Sequence, residues 1–192
     1  MECGVWGDSI TYGSCDAEGL GWVGRLRKQI TNNKDNRMYN FGICGDTSEG
    51  LLTRFSAEAT IVKPDTVIFA IGINDSKIRV GAQHSVVDID QFRENMSTLV
   101  ELAQEYTQHI FIVGATQVNL WFETQTKTSR FINSLIQQYN DVLRAIAEVQ
   151  GVTYVEVFDV LDMQTDLADG LHPNAGGYDK LAERIGAQVF PA

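Results

Sequence analysis

The residues best equipped for chemistry fall in two short polar segments near the ends of the chain. The first is Gly7-Asp8-Ser9-Ile10-Thr11. It follows an apolar stretch, residues 3–6, with the character of a strand, so Ser9 is expected at the exit edge of a sheet. A hydroxyl there is a candidate nucleophile if a neighbouring base takes its proton. It is also a candidate cap for the turn or helix that follows. The second segment is Asp169-Gly170-Leu171-His172-Pro173-Asn174. An unperturbed imidazole accepts a proton near neutral pH. Asp169 stands close enough in sequence to bond Nδ1 of His172 and leave Nε2 facing Ser9. Of the three histidines, His84 lies in a polar connection and His109 heads an apolar run, which makes His172 the best base. The competing reading is that Asp169 and His172 merely stabilise the start of the last helix.

Two middle segments supply candidate donors for a developing negative oxygen. Gly42-Ile43-Cys44-Gly45-Asp46-Thr47-Ser48 can project the backbone N–H of Gly45, and Gly72-Ile73-Asn74-Asp75 can project the amide of Asn74. Ordinary turns and helix caps are the alternative roles. Trp121 and Phe122 either line an acyl or sugar pocket or cover the core. Asp159, Asp162, Asp166 and Asp169 miss the spacing of a calcium loop and read as a solvated acidic loop. His84 and His109 have no partner at ligand spacing. Neither a metal nor an organic cofactor is expected.

The elements that must position these residues alternate in type. Strands are expected at residues 3–6, 38–43, 67–71, 109–114 and 152–158, although Gly4 interrupts the first and Asn40 weakens the second. Residues 67–71 form an unbroken apolar run, suited to a central strand covered on both faces. Helical spacing places Leu20, Val23, Leu26 and Ile30 on one face. A second helix carries Leu51, Leu52 and Phe55. Further stripes run through Phe92, Met96, Leu99, Ala103 and Tyr106; through Phe131, Leu135, Tyr139, Val142, Ile146 and Val149; and through Tyr178, Leu181, Ile185 and Val189. Strands alternating with helices predict a doubly wound α/β sandwich, with ligands beyond the carboxyl ends of the strands. Residues 1–192 read as a single domain, with no internal repeat.

Composition narrows the function classes. The net charge of -10, from 25 acidic and 15 basic residues, disfavours nucleic acid as a partner. The densest basic stretch, Arg25-Leu26-Arg27-Lys28, reads as a solvated helix face. Three cysteines, Cys3, Cys15 and Cys44, make an odd set without Cys-x-x-Cys spacing, which suggests reduced thiols and a cytoplasmic protein. No basic segment followed by an apolar run opens the chain, and no stretch approaches about 18 apolar residues. Neither a signal peptide nor a membrane span is therefore expected.

Taken together, the four segments resemble the blocks of the SGNH, or GDSL-like, hydrolase family over nearly the whole chain. Gly7-Asp8-Ser9-Ile10 is similar to the block carrying the nucleophile. Gly45 matches the oxyanion glycine, Asn74 the oxyanion asparagine, and Asp169-Gly170-Leu171-His172 the final Asp-x-x-His block. The resemblance implies a flavodoxin-like three-layer α/β/α sandwich with a five-stranded parallel sheet. It implies a serine esterase with Ser9, Asp169 and His172 as catalytic residues and an oxyanion hole of Ser9, Gly45 and Asn74, without a cofactor. The expected substrate is a small-molecule ester with a short acyl chain, acetylated sugars among the candidates. A thioesterase or lysophospholipase is the alternative within the family. A non-catalytic flavodoxin-like module binding nucleotide or flavin is the alternative outside it, although there is no Gly-rich Rossmann fingerprint and no P-loop. The Gly-x-Ser-x-Gly elbow is absent, which disfavours an ordinary α/β-hydrolase.

Overall fold

The computed structural model describes residues 1–30, 35–119 and 128–191. Five parallel strands make the central sheet: β1 (Glu2–Gly7), β2 (Arg37–Gly42), β3 (Thr66–Ala70), β5 (Ile110–Val113) and β7 (Thr153–Val155). Their spatial order is β2-β1-β3-β5-β7, the flavodoxin-like arrangement. Two-residue strands β4 (Ile78–Arg79) and β6 (Ser129–Arg130) pair antiparallel outside it. The helices are α1 (Ser9–Tyr12), α2 (Gly21–Ile30), α3 (Ser48–Val62), α4 (Ile73–Ser76), α5 (Ile89–Gln104), α6 (Asn133–Gln150) and α7 (Ala175–Val189).

Strand alternation sorts the core into two layers. Cys3 and Val5 of β1 and Ile68 of β3 face one side, where Trp22, Val23 and Leu26 of α2 and Tyr178, Leu181 and Ile185 of α7 cover them. Trp6, Val67 and Phe69 face the other side, under Leu51 and Phe55 of α3, Phe92, Met96 and Leu99 of α5, and Tyr139 and Leu143 of α6. Gly4 is part of this design. A Cβ at Gly4 would sit 2.2 Å from the Trp6 ring, so the missing side chain makes room for the indole. That ring stacks on Phe41 and meets Phe55 edge-on. Asn40 is likewise accommodated inside β2, since its amide donates to Thr11 O and its oxygen accepts from Gly42 N.

Several expectations need correction. β7 ends at Val155, not 158, because Glu156 turns its carboxylate onto the Phe158 N–H and ends the extended run. Phe131 precedes α6 yet packs in the core, whereas Val149 is 85% exposed. Tyr106 lies past the end of α5. Arg25 is no solvated residue: it is 7% exposed and ion-paired with Asp16 and Asp179, tying α2 to α7. Asp166 is also buried and holds Lys180, which removes it from any solvated acidic loop.

Candidate active site

β1, β2 and β3 end level, with Gly7 paired to Gly42 on one side and to Ala70 on the other. The chain winds outward from β1 in both directions, so the crevice beyond these ends is the topological switch point, where open α/β sheets bind ligands. Three of the four polar segments emerge here.

Asp8 caps α1, its Oδ1 accepting the Ile10 N–H at 2.9 Å. The Ser9 hydroxyl is therefore not the cap, and it meets His172 Nε2 at 2.9 Å. His172 Nδ1 lies 2.8 Å from Asp169 Oδ2. The other carboxylate oxygen, Oδ1, accepts the backbone N–H groups of Leu171 at 2.9 Å and His172 at 2.8 Å. Those bonds lock the Asp169 rotamer and aim Oδ2 at the ring. They also decide its acidity. Burial pushes the carboxyl up, but the bonds from the His172 ring and the two backbone N–H groups outweigh it, and the group is held below the usual carboxylate range. The start of α7 is capped by Asn174, which accepts the Gly177 N–H, so Asp169 and His172 are not consumed in starting that helix.

The middle segments reach the same edge. Gly45 is exposed and has φ +80, a left-handed conformation that L side chains adopt only with strain. Asn74 lies in α4 and is 5% exposed. Its Oδ1 accepts from Lys77 Nζ at 3.1 Å, and its Nδ2, though buried, has no hydrogen-bond partner among the described residues. A buried, unpaired amide is costly unless something else meets it. Trp121 and Phe122 lie outside the described residues.

Residues that sequence reasoning passed over hold these loops together. Asp75, beside Asn74, accepts from Ser48 N at 2.9 Å and Ser48 Oγ at 2.6 Å, and Asn95 Nδ2 donates to the same hydroxyl. This buried network joins α4 to α3 and α5. Arg54 of α3 donates to Gly7 O, Phe41 O and Asp46, bracing the exits of β1 and β2. Tyr178 donates to Ser14 O, fixing the loop after α1 against α7. Beyond Ser14, Cys15 places Sγ 3.7 Å from Asp169 Oδ2. Each is a contact distant in sequence and carries no local signal. A small cavity of about 30 Å³ lies behind Asp8, lined also by Trp22, Ile73 and Thr116, and Ser9 and His172 stand outside it.

Comparison with known proteins assigns the family. The GDSL-like Lipase/Acylhydrolase family model matches residues 5–180. The chain belongs to this family. It is 41% identical to a multidomain esterase from Ruminococcus flavefaciens over 92% of this chain, which spans only 27% of that relative. It is 26% identical to esterase TesA of Pseudomonas aeruginosa, covering 97% of this chain and 87% of that one. Among solved structures, TesA superposes with a TM-score of 0.79 at 25% identity, covering 98% of each chain. A catalytic mutant of Axe2, an acetylxylan esterase from Geobacillus stearothermophilus, gives 0.77 at 20% identity, covering 98% and 93%. This GDSL-like family member is a serine-dependent carboxylic ester hydrolase acting on a small-molecule ester. The non-catalytic module falls away. No helix among the described residues is long and apolar enough to cross a membrane.

Proposed function

We propose that Ser9 is the nucleophile, His172 the general base and Asp169 the orienting acid in the hydrolysis of short-chain acyl esters, acetylated sugars included. The observation that carries this reading is the unbroken chain of contacts from Ser9 Oγ through the His172 ring to Asp169 Oδ2. His172 Nε2 takes the hydroxyl proton as Ser9 attacks the carbonyl carbon. Asp169 holds the proton on Nδ1 and stabilises the imidazolium that forms. The oxyanion is met by the backbone N–H groups of Ser9 and Gly45 and by Asn74 Nδ2, which has no partner among the described residues. His172 then protonates the departing alcohol, and a water molecule repeats the attack on the acyl-enzyme.

Exposed Tyr12 and Ile43 flank Ser9 in sequence and across the sheet edge, giving a short apolar rim for an acyl group or a sugar face. The names of the relatives support the ester class, and that of the Geobacillus enzyme supports acetylated xylan-type substrates. The three free thiols support a cytoplasmic location. Residues 1–192 read as one catalytic domain.

A fluorophosphonate probe tests the assignment. Mass spectrometry is expected to find one adduct, on Ser9, and Ser9→Ala is expected to lose the adduct and about 10⁶-fold in kcat, the scale seen when a serine protease loses its nucleophile. Labelling at another serine, or turnover retained in folded Ser9→Ala, refutes the assignment. A series of esters from acetyl to long-chain acyl, each with its thioester, tests the substrate: a kcat/KM maximum on long chains or thioesters rejects the short-chain reading.

A further inference from the structure

Cys15 has no part in the hydrolysis described above, yet its thiol sits against the acid of the triad. One ligand atom each from Cys15, Asp169 and His172 lie within 4.8 Å of one another, the one such cluster among the described residues. All three side chains retain access to solvent, with His172 at 18% and Asp169 at 43% exposure.

We propose that Cys15 Sγ, Asp169 Oδ2 and His172 Nδ1 form an inhibitory binding site for a thiophilic divalent cation of the zinc class. The proposal rests on the reading of His172 as the general base. The donor set of one sulfur, one imidazole nitrogen and one carboxylate oxygen is of the type that zinc takes in four-coordinate sites, with solvent as the fourth ligand. The spacing also fits. With arms of about 2.3 Å to sulfur and about 2.0 Å to nitrogen and oxygen, tetrahedral geometry sets S···O near ~3.5 Å and N···O near ~3.3 Å. The structure has 3.7 Å between Cys15 Sγ and Asp169 Oδ2 and 2.8 Å between His172 Nδ1 and Asp169 Oδ2. Both separations lie within about half an ångström of those values.

The consequence for catalysis follows from the tautomer. In the working arrangement Nδ1 carries the proton donated to Asp169, and the Nε2 lone pair faces Ser9. A cation on Nδ1 needs that lone pair, so the imidazole proton must move to Nε2. Nε2 becomes a donor and cannot accept the Ser9 proton. Cys15 releases its thiol proton to solvent and binds as thiolate. One cation, one thiolate and one carboxylate then sum to zero charge, with the imidazole neutral.

The test uses metal-stripped protein with a phosphine reductant. Titration with cadmium chloride is expected to give a thiolate-to-metal charge-transfer band saturating at one equivalent, and zinc sulfate is expected to inhibit hydrolysis of an activated acetyl ester, reversibly with EDTA. Cys15→Ser should lose the band and require at least tenfold more zinc for half-inhibition, each variant being compared with its own metal-free rate. Cys44→Ser should retain both responses. Ser9→Ala, inactive, should retain the band. Zinc inhibition unchanged in Cys15→Ser, or a band that disappears with Cys44 instead, overturns the site. A Cys15- and His172-dependent cadmium complex that leaves hydrolysis untouched upholds the site and overturns both its inhibitory role and the reading of His172 as base.

Discussion

Asn74 is a buried carboxamide with one partnered end, and under the proposed mechanism its other end meets the oxyanion. Lys77 Nζ holds Asn74 Oδ1 and thereby fixes which side of the amide is left over, and that side is a pair of N–H donors with no acceptor among the described residues. Burial holds the Lys77 ammonium below the ordinary lysine range, with Arg79 adding to the effect. A donor that waits for charge to develop contributes little to the ground state and much to the transition state. Asn74→Ala is therefore expected to lower kcat by about 100-fold, on the order of 3 kcal/mol of transition-state stabilisation, with KM nearly unchanged. Steady-state kinetics on a variant that still unfolds cooperatively checks it. A rise in KM at constant kcat would place Asn74 in substrate binding instead. Stability should change less than turnover, since the donor end has no partner among the described residues and the one bond lost is that from Lys77 to Oδ1.

At the scale of elements, the site depends on three strand ends staying level, and Arg54 is what joins two of them. Its guanidinium touches the carbonyls of Gly7 and Phe41 and the Asp46 carboxylate, and also pairs with Glu58 along α3. Arg54 and Asp46 are only 15% and 10% exposed, so removing one leaves the other poorly solvated. Arg54→Met is expected to cost about 3 kcal/mol of stability by urea unfolding. Arg54→Lys should recover only part of it, because an ammonium lacks the planar fork that reaches several acceptors at once. Equal stability of Arg54→Met and the parent would show the brace to be dispensable. Nothing near Arg54 in the sequence announces this role. What sequence does reveal is periodic or punctuated: the apolar run of β3, the stripes of α5 and α7, and the polar segments after β1, β2 and β3. What it hides is pairwise and remote. Arg25 looks solvated because Asp179 lies 154 positions away, and Cys15 meets Asp169 across the same separation. β4 and β6 are two residues each and have no period to read. Asn40 looks wrong for a strand until Thr11 O and Gly42 N are seen to need it.

For the molecule as a whole, the charge balance turns on which carboxylates are paired. Asp16, held by Arg25 and backbone N–H groups against the pull of burial, falls to about 2, and Asp166 and Asp169 are also held low. Their contribution to stability is complete above the unfolded carboxylate pKa of about 3.9 and is lost only as pH falls below it. Asp8 behaves in the opposite sense. Burial, opposed by the bond from Ile10 N and reinforced by the fields of Asp75 and Asp46, pushes its carboxyl up to about 7. Burial likewise pushes Asp75 up to about 6, against the bonds from Ser48. A carboxyl that titrates higher folded than unfolded favours the fold in its neutral form. That contribution is full below about pH 4 and is lost as pH rises through about 7 for Asp8, at about 1.4 kcal/mol for each pH unit separating the two titrations. The protein is thus expected to lose stability between about pH 5 and 7 and to level off above it, a window in which Asp16, Asp166 and Asp169 contribute nothing variable. Asp8→Asn keeps an oxygen to accept the Ile10 N–H but has no proton to lose. An amide differs from a carboxyl in absolute stability at any one pH, so the slope is the quantity to compare. Denaturant midpoints measured across the window are expected to fall less steeply in Asp8→Asn than in the parent, with the difference between the curves growing up to about pH 7 and staying constant above it. Parallel curves would mean that Asp8 is already ionised in the fold at pH 5, and that its burial beside Ser9 is offset by partners other than Ile10.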